Sequence, residues 1–161
     1  MTPLDYVIEM QRTLGPTATS RTIQLGLLGE SGEVADLVKK ALERGKEVDR
    51  QRIVEELGDV LWYMTAKLLM ETNPFEAIGI LSRFRTRTRD NSIDDCAVDL
   101  CDSTRLLGLT QSQGSALKAA REVVEDIASM AALMPATIHE IMAVNIAKLK
   151  ARYPDGFKVA V

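Results

Sequence analysis

The stretch GLLGESGEVADLVKKALERGKEVDRQRIVEELGDVLWYM, residues 26–64, decides the fold. Leu27, Val34 and Leu37 before Gly45, and Ile53 and Val60 after it, recur at helical spacing, which predicts two amphipathic helices. Gly45 can adopt the left-handed conformation that ends a helix, and Asp49 is a good cap for the next one. The reading is therefore an antiparallel hairpin, with one helix from about Ser20 to Arg44 and a second from about Arg50 to Met70.

Four acids sit on the apolar side of that hairpin. Glu30 and Glu33 form one pair at i,i+3, and Glu56 and Asp59 form another, so each pair shares a helical face. Both pairs are mirrored about the peptide bond joining Arg44 to Gly45. Turning the chain there puts Glu30 level with Asp59 and Glu33 level with Glu56. Four converging carboxylates repel one another, and burying them unpaired costs several kcal/mol per ion. A cation is the natural compensation. Oxygen ligands without His or Cys favour Mg²⁺, with Mn²⁺ as a substitute, over Zn²⁺. Mg²⁺ commonly keeps room for phosphate oxygens, which directs attention to a phosphorylated substrate.

Outside the hairpin the punctuation also predicts helices. Thr2-Pro3 starts a short one that Gly15-Pro16 closes. Asn73-Pro74 starts another, expected to reach the arginine run Arg83, Arg85, Arg87 and Arg89. Ser92 with Asp95 has capping-box character and opens a helix to about Leu107. Gly114-Ser115 begins the next, and Pro135 restarts the chain into a last helix ending near Arg152. No segment reads as a strand, so the fold class is all-α.

Composition agrees. The 161 residues are 46% hydrophobic and 27% charged with a net charge of −3, which excludes a disordered tail. Twenty Lys and Arg against 23 Asp and Glu argue against nucleic acid as a partner. The alternating arginines of 83–89 would not form one helical stripe. No apolar run is long enough for a membrane span, and residues 1–20 lack a signal-peptide core. Cys96 and Cys101 have neither CxxC nor disulfide spacing and read as small apolar residues in a reducing, cytoplasmic setting. His139 has no metal-spaced partner.

At the level of motifs the chain resembles the MazG-type, all-α nucleoside triphosphate pyrophosphohydrolases. The resemblance rests on GLLGESGEVADLVKK (26–40), RIVEELGDVLWYM (52–64) and NIAKLKARYPDGF (145–157). It implies a helical bundle of MazG or dimeric-dUTPase-like type. It also implies that Glu30, Glu33, Glu56 and Asp59 bind Mg²⁺, and that Asn145, Lys148 and Arg152 face the triphosphate or the base. The implied reaction is attack of water on a phosphorus of a nucleoside triphosphate, a dNTP or non-canonical NTP, releasing the monophosphate and pyrophosphate. Where the family's first motif often reads EExxE, this chain has Gly29, and Glu30 becomes the first choice for a general base. Lys148 and Arg152, at i,i+4, suit phosphate oxygens. Lys40 is a further candidate for substrate binding, and Tyr63 or Trp62 for stacking on a base.

A shift of 69 places Glu30 on Asp99, Glu33 on Asp102, Glu56 on Glu125 and Gly45 on Gly114, while Asp59 falls on Ala128. The chain is thus read as one all-α domain, 1–161, containing a degenerate repeat over about 18–91 and 92–157. Exposed Leu and Met on helical faces predict a homodimer or homotetramer. Two other functional readings stand beside the enzyme: a catalytically weak nucleotide- and metal-binding regulator, and a helical scaffold whose acids are merely solvated.

Overall fold

The computed structural model describes residues 1–86 and 92–156. They form α1 (Pro3–Gln11), α2 (Ser20–Glu43), α3 (Arg50–Glu71), α4 (Pro74–Ser82), α5 (Ile93–Leu109), α6 (Gln113–Leu133) and α7 (Ile138–Arg152), with no strand among the described residues. The fold is all-α.

Each helix begins on a residue suited to the task. The side chains of Thr2, Thr19, Asp49, Asn73, Ser92, Ser112 and Thr137 each accept a hydrogen bond from a backbone N–H of the first turn. This satisfies donors that the helix itself leaves unpaired. Thr19 with Thr22, and Ser92 with Asp95, complete capping boxes. At the other end of α2, Gly45 takes φ +58°. Its N–H donates to the Leu42 carbonyl at 3.0 Å and that of Lys46 to the Ala41 carbonyl at 2.9 Å. This is a Schellman ending, for which a residue without Cβ is best suited.

Two antiparallel hairpins, α2–α3 and α5–α6, pack side by side, α2 against α5 and α3 against α6. The α2 and α5 axes run in opposite senses, since Gly108 abuts Gln24 and the Cys101 thiol meets the Ser31 carbonyl. Leu27, Val34, Ile53, Leu57, Val60, Leu61 and Met64 are buried where α2 meets α3. Each such aliphatic side chain contributes about 1.5–3 kcal/mol on burial. Helix α7 lies along α3, and α1 packs on α4 and α7. Arg50 fastens the start of α3 to the α6–α7 turn, donating to the carbonyls of Met134 and Pro135 and to both oxygens of Glu140.

The turn at Gly45 lies where expected, and two details differ. α1 ends at Gln11, before Gly15-Pro16, and residues 12–18 form an irregular connection. α4 stops at Ser82 with Arg83 as its cap, short of the arginine run; Arg87 and Arg89 lie outside the described residues. Gly114, expected to begin a helix, is the second residue of α6, and the connection before it is at 110–112.

One burial was not legible in the sequence. Lys67 is 1% exposed, yet its ammonium donates to Ser20 Oγ at 3.0 Å, Glu71 Oε1 at 2.8 Å and the Thr110 carbonyl at 3.1 Å. Three donors meet three acceptors, which offsets the cost of burying the charge. The lysine ties α3 to the start of α2 and to the α5–α6 turn.

Candidate functional site

The hairpin brings its acids together midway along α2 and α3. Glu30, Glu33 and Glu56 each offer a carboxylate oxygen within 4.8 Å of the others. Glu30 and Glu56 are half-buried and Glu33 is exposed. Asp59, the fourth acid, is engaged differently. Its Oδ1 accepts from Asn145 Nδ2 at 2.9 Å, and its Oδ2 is ion-paired with the Lys148 ammonium.

Two glycines make this arrangement possible. A Cβ at Gly26 would stand 2.1 Å from Tyr63 Cε1, so the tyrosine ring lies directly on the α2 backbone. A Cβ at Gly58 would stand 2.9 Å from Asn145 Cβ, so the glycine between Glu56 and Asp59 lets α7 press against α3. The close approach carries Asn145 and Lys148 to Asp59. At Gly29 and Gly32 a Cβ would have nothing within 4 Å.

A cavity of about 340 Å³ opens beside the acids. Glu30, Asp59, Tyr63, Lys148 and Arg152 line it, together with Trp62, Tyr153 and the connection between α1 and α2. Trp62 is held there: its indole N–H donates to Thr13 Oγ1 at 3.0 Å, and the threonine hydroxyl donates to the Met10 carbonyl at 2.8 Å. The Arg152 guanidinium lies 5.4 Å from the centre of the Tyr153 ring, a cation–π distance. The Trp62 and Tyr63 rings meet edge to face at 4.9 Å. The cavity therefore joins carboxylates of α2 and α3, cations of α7, and the aromatic rings of Trp62, Tyr63 and Tyr153.

Crowding shows in the titration of these groups. Burial first, then the charges of Asp59, Glu33 and Glu56, push Glu30 up to about 7, with Lys148 opposing. Burial, followed by the charge of Glu33, likewise raises Glu56. At Lys148 burial works against the charged form, but the hydrogen bond and charge of Asp59, with Glu56 and Glu30, prevail and raise it. Tyr63 is raised by burial and by the neighbouring Glu30 and Asp59. Three carboxylates brought together on an otherwise apolar hairpin, two of them holding their protons more tightly than usual, form a donor set fitted to a hard divalent cation.

The remaining residues singled out in the sequence are placed as follows. Asn145 does not line the cavity: it is fully buried, donates to Asp59 and accepts from the Tyr6 hydroxyl at 3.4 Å. Its amide thus supports Asp59. Lys40 is exposed in the last turn of α2, paired with Asp36 at 2.5 Å, and is not among the cavity residues. His139 is a surface residue whose Nδ1 meets the Met1 carbonyl at 2.9 Å. The sequence reading missed the contribution of Thr13, Gly15, Thr17 and Ala18 to the cavity wall; nothing in their pattern marks them beyond the polar, turn-forming composition of a connection.

The fold is thus an all-α bundle in which a carboxylate-bearing hairpin and basic residues of α7 share one cavity. Residues 18–84 match the family model of the MazG nucleotide pyrophosphohydrolase domain. The chain is MazG-like over that segment, which runs from just before α2 to just beyond α4 and contains all four acids. Lys148, Arg152 and the connection at 12–17 lie outside it. No curated protein and no solved structure matches the chain.

Proposed function

We propose that the protein is a Mg²⁺-dependent nucleoside triphosphate pyrophosphohydrolase acting on a dNTP or non-canonical NTP, with Mn²⁺ able to substitute. The observation that carries this reading is the meeting, at one cavity, of Glu30 from the three-carboxylate cluster and Asp59 with Lys148 and Arg152. The MazG match over the acid-bearing segment supports the reaction class.

Glu30, Glu33 and Glu56 would hold the cation, with Asp59 as a further ligand. A divalent cation bound there supplies charge neutralisation at the phosphates and lowers the pKa of associated water. Lys148 and Arg152 bind phosphate oxygens, and Arg152 is kept extended by its contact with Tyr153. Tyr63 and Trp62 offer aromatic surface to the base. Glu30 is the one cluster carboxylate that also lines the cavity, so it is the group placed to orient water and take its proton. The water oxygen bonds to a phosphorus of the α–β linkage, the bridging P–O bond breaks, and the products are a nucleoside monophosphate and pyrophosphate. Most of the rate comes from charge stabilisation and in-line positioning.

A homo-oligomer is part of the same proposal. Leu25 and Leu28 on α2, and Val98, Leu106 and Leu109 on α5, are between 40% and 63% exposed on neighbouring helices. No single described helix is long and apolar enough to cross a membrane, and the substrate class suits the cytoplasm.

The deciding experiment is pyrophosphate release from a panel of canonical and modified nucleoside triphosphates, with Mg²⁺ and with EDTA. Metal-dependent release with the monophosphate as co-product is the expected result. No release, with no thermal shift from Mg²⁺ plus nucleotide, overturns the enzyme reading.

A further inference from the structure

Asp59 stands apart from its three companions. Both of its carboxylate oxygens are already bonded, one by Asn145 and the other by Lys148, whereas Glu30, Glu33 and Glu56 present free corners to one another. The two partners differ in kind. Asn145 is fully buried and fixed between Asp59 and Tyr6, so its bond is permanent furniture of the α3–α7 contact. Lys148 is one residue short of a full turn further along α7; its side chain is 38% exposed, lines the cavity, and ends in a flexible four-carbon stem. A cation held at Asp59 Oδ2 and the ammonium already against that oxygen would repel one another. A phosphate oxygen entering the cavity competes with Asp59 for the Lys148 ammonium.

We infer that Lys148 is an exchangeable counter-ion: it occupies Asp59 Oδ2 while the site is empty of cation, and moves to the phosphate oxygens when Asp59 turns to a divalent cation. The inference rests on the proposed nucleotide chemistry and adds an order to it. Asp59 is neutralised in both states, first by the protein's own ammonium and then by the cation. The bond broken at Asp59 is replaced by one at the phosphate, so the exchange is favourable with cation and nucleotide together and unfavourable with cation alone. The protein thereby discourages occupation of the site by metal without substrate, using the same lysine that binds the substrate.

A double-mutant cycle read by calorimetry tests this, with MgCl₂ alone as the first probe and a non-hydrolysable α,β-imido deoxynucleoside triphosphate as the second. Lys148→Met is expected to bind Mg²⁺ alone more tightly than the unsubstituted protein, by a factor of roughly ten within the usual range of coupled sites, and to bind the nucleotide more weakly. In an Asp59→Asn background the gain in Mg²⁺ affinity from Lys148→Met should vanish. A gain of the same size in that background would make it a general effect of removing one positive charge and would overturn the exchange. Unchanged or weaker Mg²⁺ binding in Lys148→Met overturns it as well. Lys150→Met, whose ammonium pairs with Glu9 at 3.1 Å, is the control for loss of a cation from α7 and should leave Mg²⁺ affinity unaltered. Pyrophosphate release by the unsubstituted protein separates the two levels: release without the affinity gain sinks the exchange alone, whereas absence of both release and Mg²⁺ binding sinks it together with the pyrophosphohydrolase reading.

Discussion

The hairpins α2–α3 and α5–α6 are built alike and equipped differently. Each is a pair of long antiparallel helices with a threonine or serine cap at its first helix, and they pack on one another through α2 and α5. In the first, Glu30 and Glu56 at half-buried positions converge with Glu33. In the second, Asp99 and Glu125, the counterparts of Glu30 and Glu56 under the 69-residue shift, are half-buried as well, but the buried Ala128 stands in the place of Asp59. The third helix following each hairpin also differs. α7 lies against α3 and brings Lys148 to Asp59, while α4 ends before the arginine run. A helical hairpin becomes a site when its acids converge and another helix supplies the opposite charge. Half-buried acids on the same backbone layout do not do it alone.

The most drastic way to break the comparison is to neutralise acids in each hairpin. Glu33→Gln and Glu56→Gln should each reduce Mg²⁺-stimulated pyrophosphate release by roughly 10²-fold or more while helix content by circular dichroism is retained. Asp102→Asn should stay within about twofold of the parent, a margin too small to register as lost transition-state stabilisation. Equal losses in both hairpins would remove the distinction between them.

Next in size is the lysine that joins the hairpins. Lys67→Met leaves Ser20, Glu71 and the Thr110 carbonyl without their shared donor, at about 2–4 kcal/mol in all. That corresponds to a fall of roughly 4–16 °C in thermal midpoint for a chain of this size. A midpoint unchanged within a degree would mean that the ammonium is not holding the two hairpins together.

A smaller effect separates two glycines of α2. Gly26→Ala drives a methyl into the body of the Tyr63 ring and should cost about 1–3 kcal/mol. Gly29→Ala meets open space and should be neutral or stabilising by up to about 1 kcal/mol through helix propensity. Denaturant midpoints of the two variants, compared side by side, decide the matter; the reverse order would refute the packing described.

The smallest expected effect is on pH dependence. Glu30 is raised from 4.5 to about 7 in the folded protein. Between those values the native state holds more protons than the unfolded chain, so stability present at the acid end is lost as pH rises through the window. Glu56 acts in the same direction. Melting curves in EDTA should therefore show lower stability at pH 8 than at pH 5, with part of the slope removed by Glu30→Gln. A slope untouched by that substitution would assign the effect to other groups.

Much of this was legible in the residues. Caps, glycine exits and apolar spacing are local signals, and they place α2, α3 and α5 to within a residue or two. The mirrored acid pairs foretell a cluster because a hairpin's level is set by its turn alone. The partners of Asp59 are 86 and 89 residues downstream. Their motif marks them as a group, yet only packing decides that Asn145 is buried behind the acid while Lys148 and Arg152 face the cavity. Gly58 was the available clue, being a helix-interior glycine beside Asp59 with no turn to make. Lys67 has no clue of that kind, since a lysine four residues before a glutamate reads as an ordinary surface pair.

The cavity wall spans the chain from Thr13 to Tyr153. During synthesis the acids of α2 and α3 leave the ribosome long before α7 does, and they can fold as a hairpin with no lysine to answer Asp59. A nascent chain therefore carries a strongly anionic hairpin before α7 and its lysine exist. On the proposed pyrophosphohydrolase reading, competence would arrive with the last helix, and polypeptides interrupted before Lys148 would lack a grip on the triphosphate.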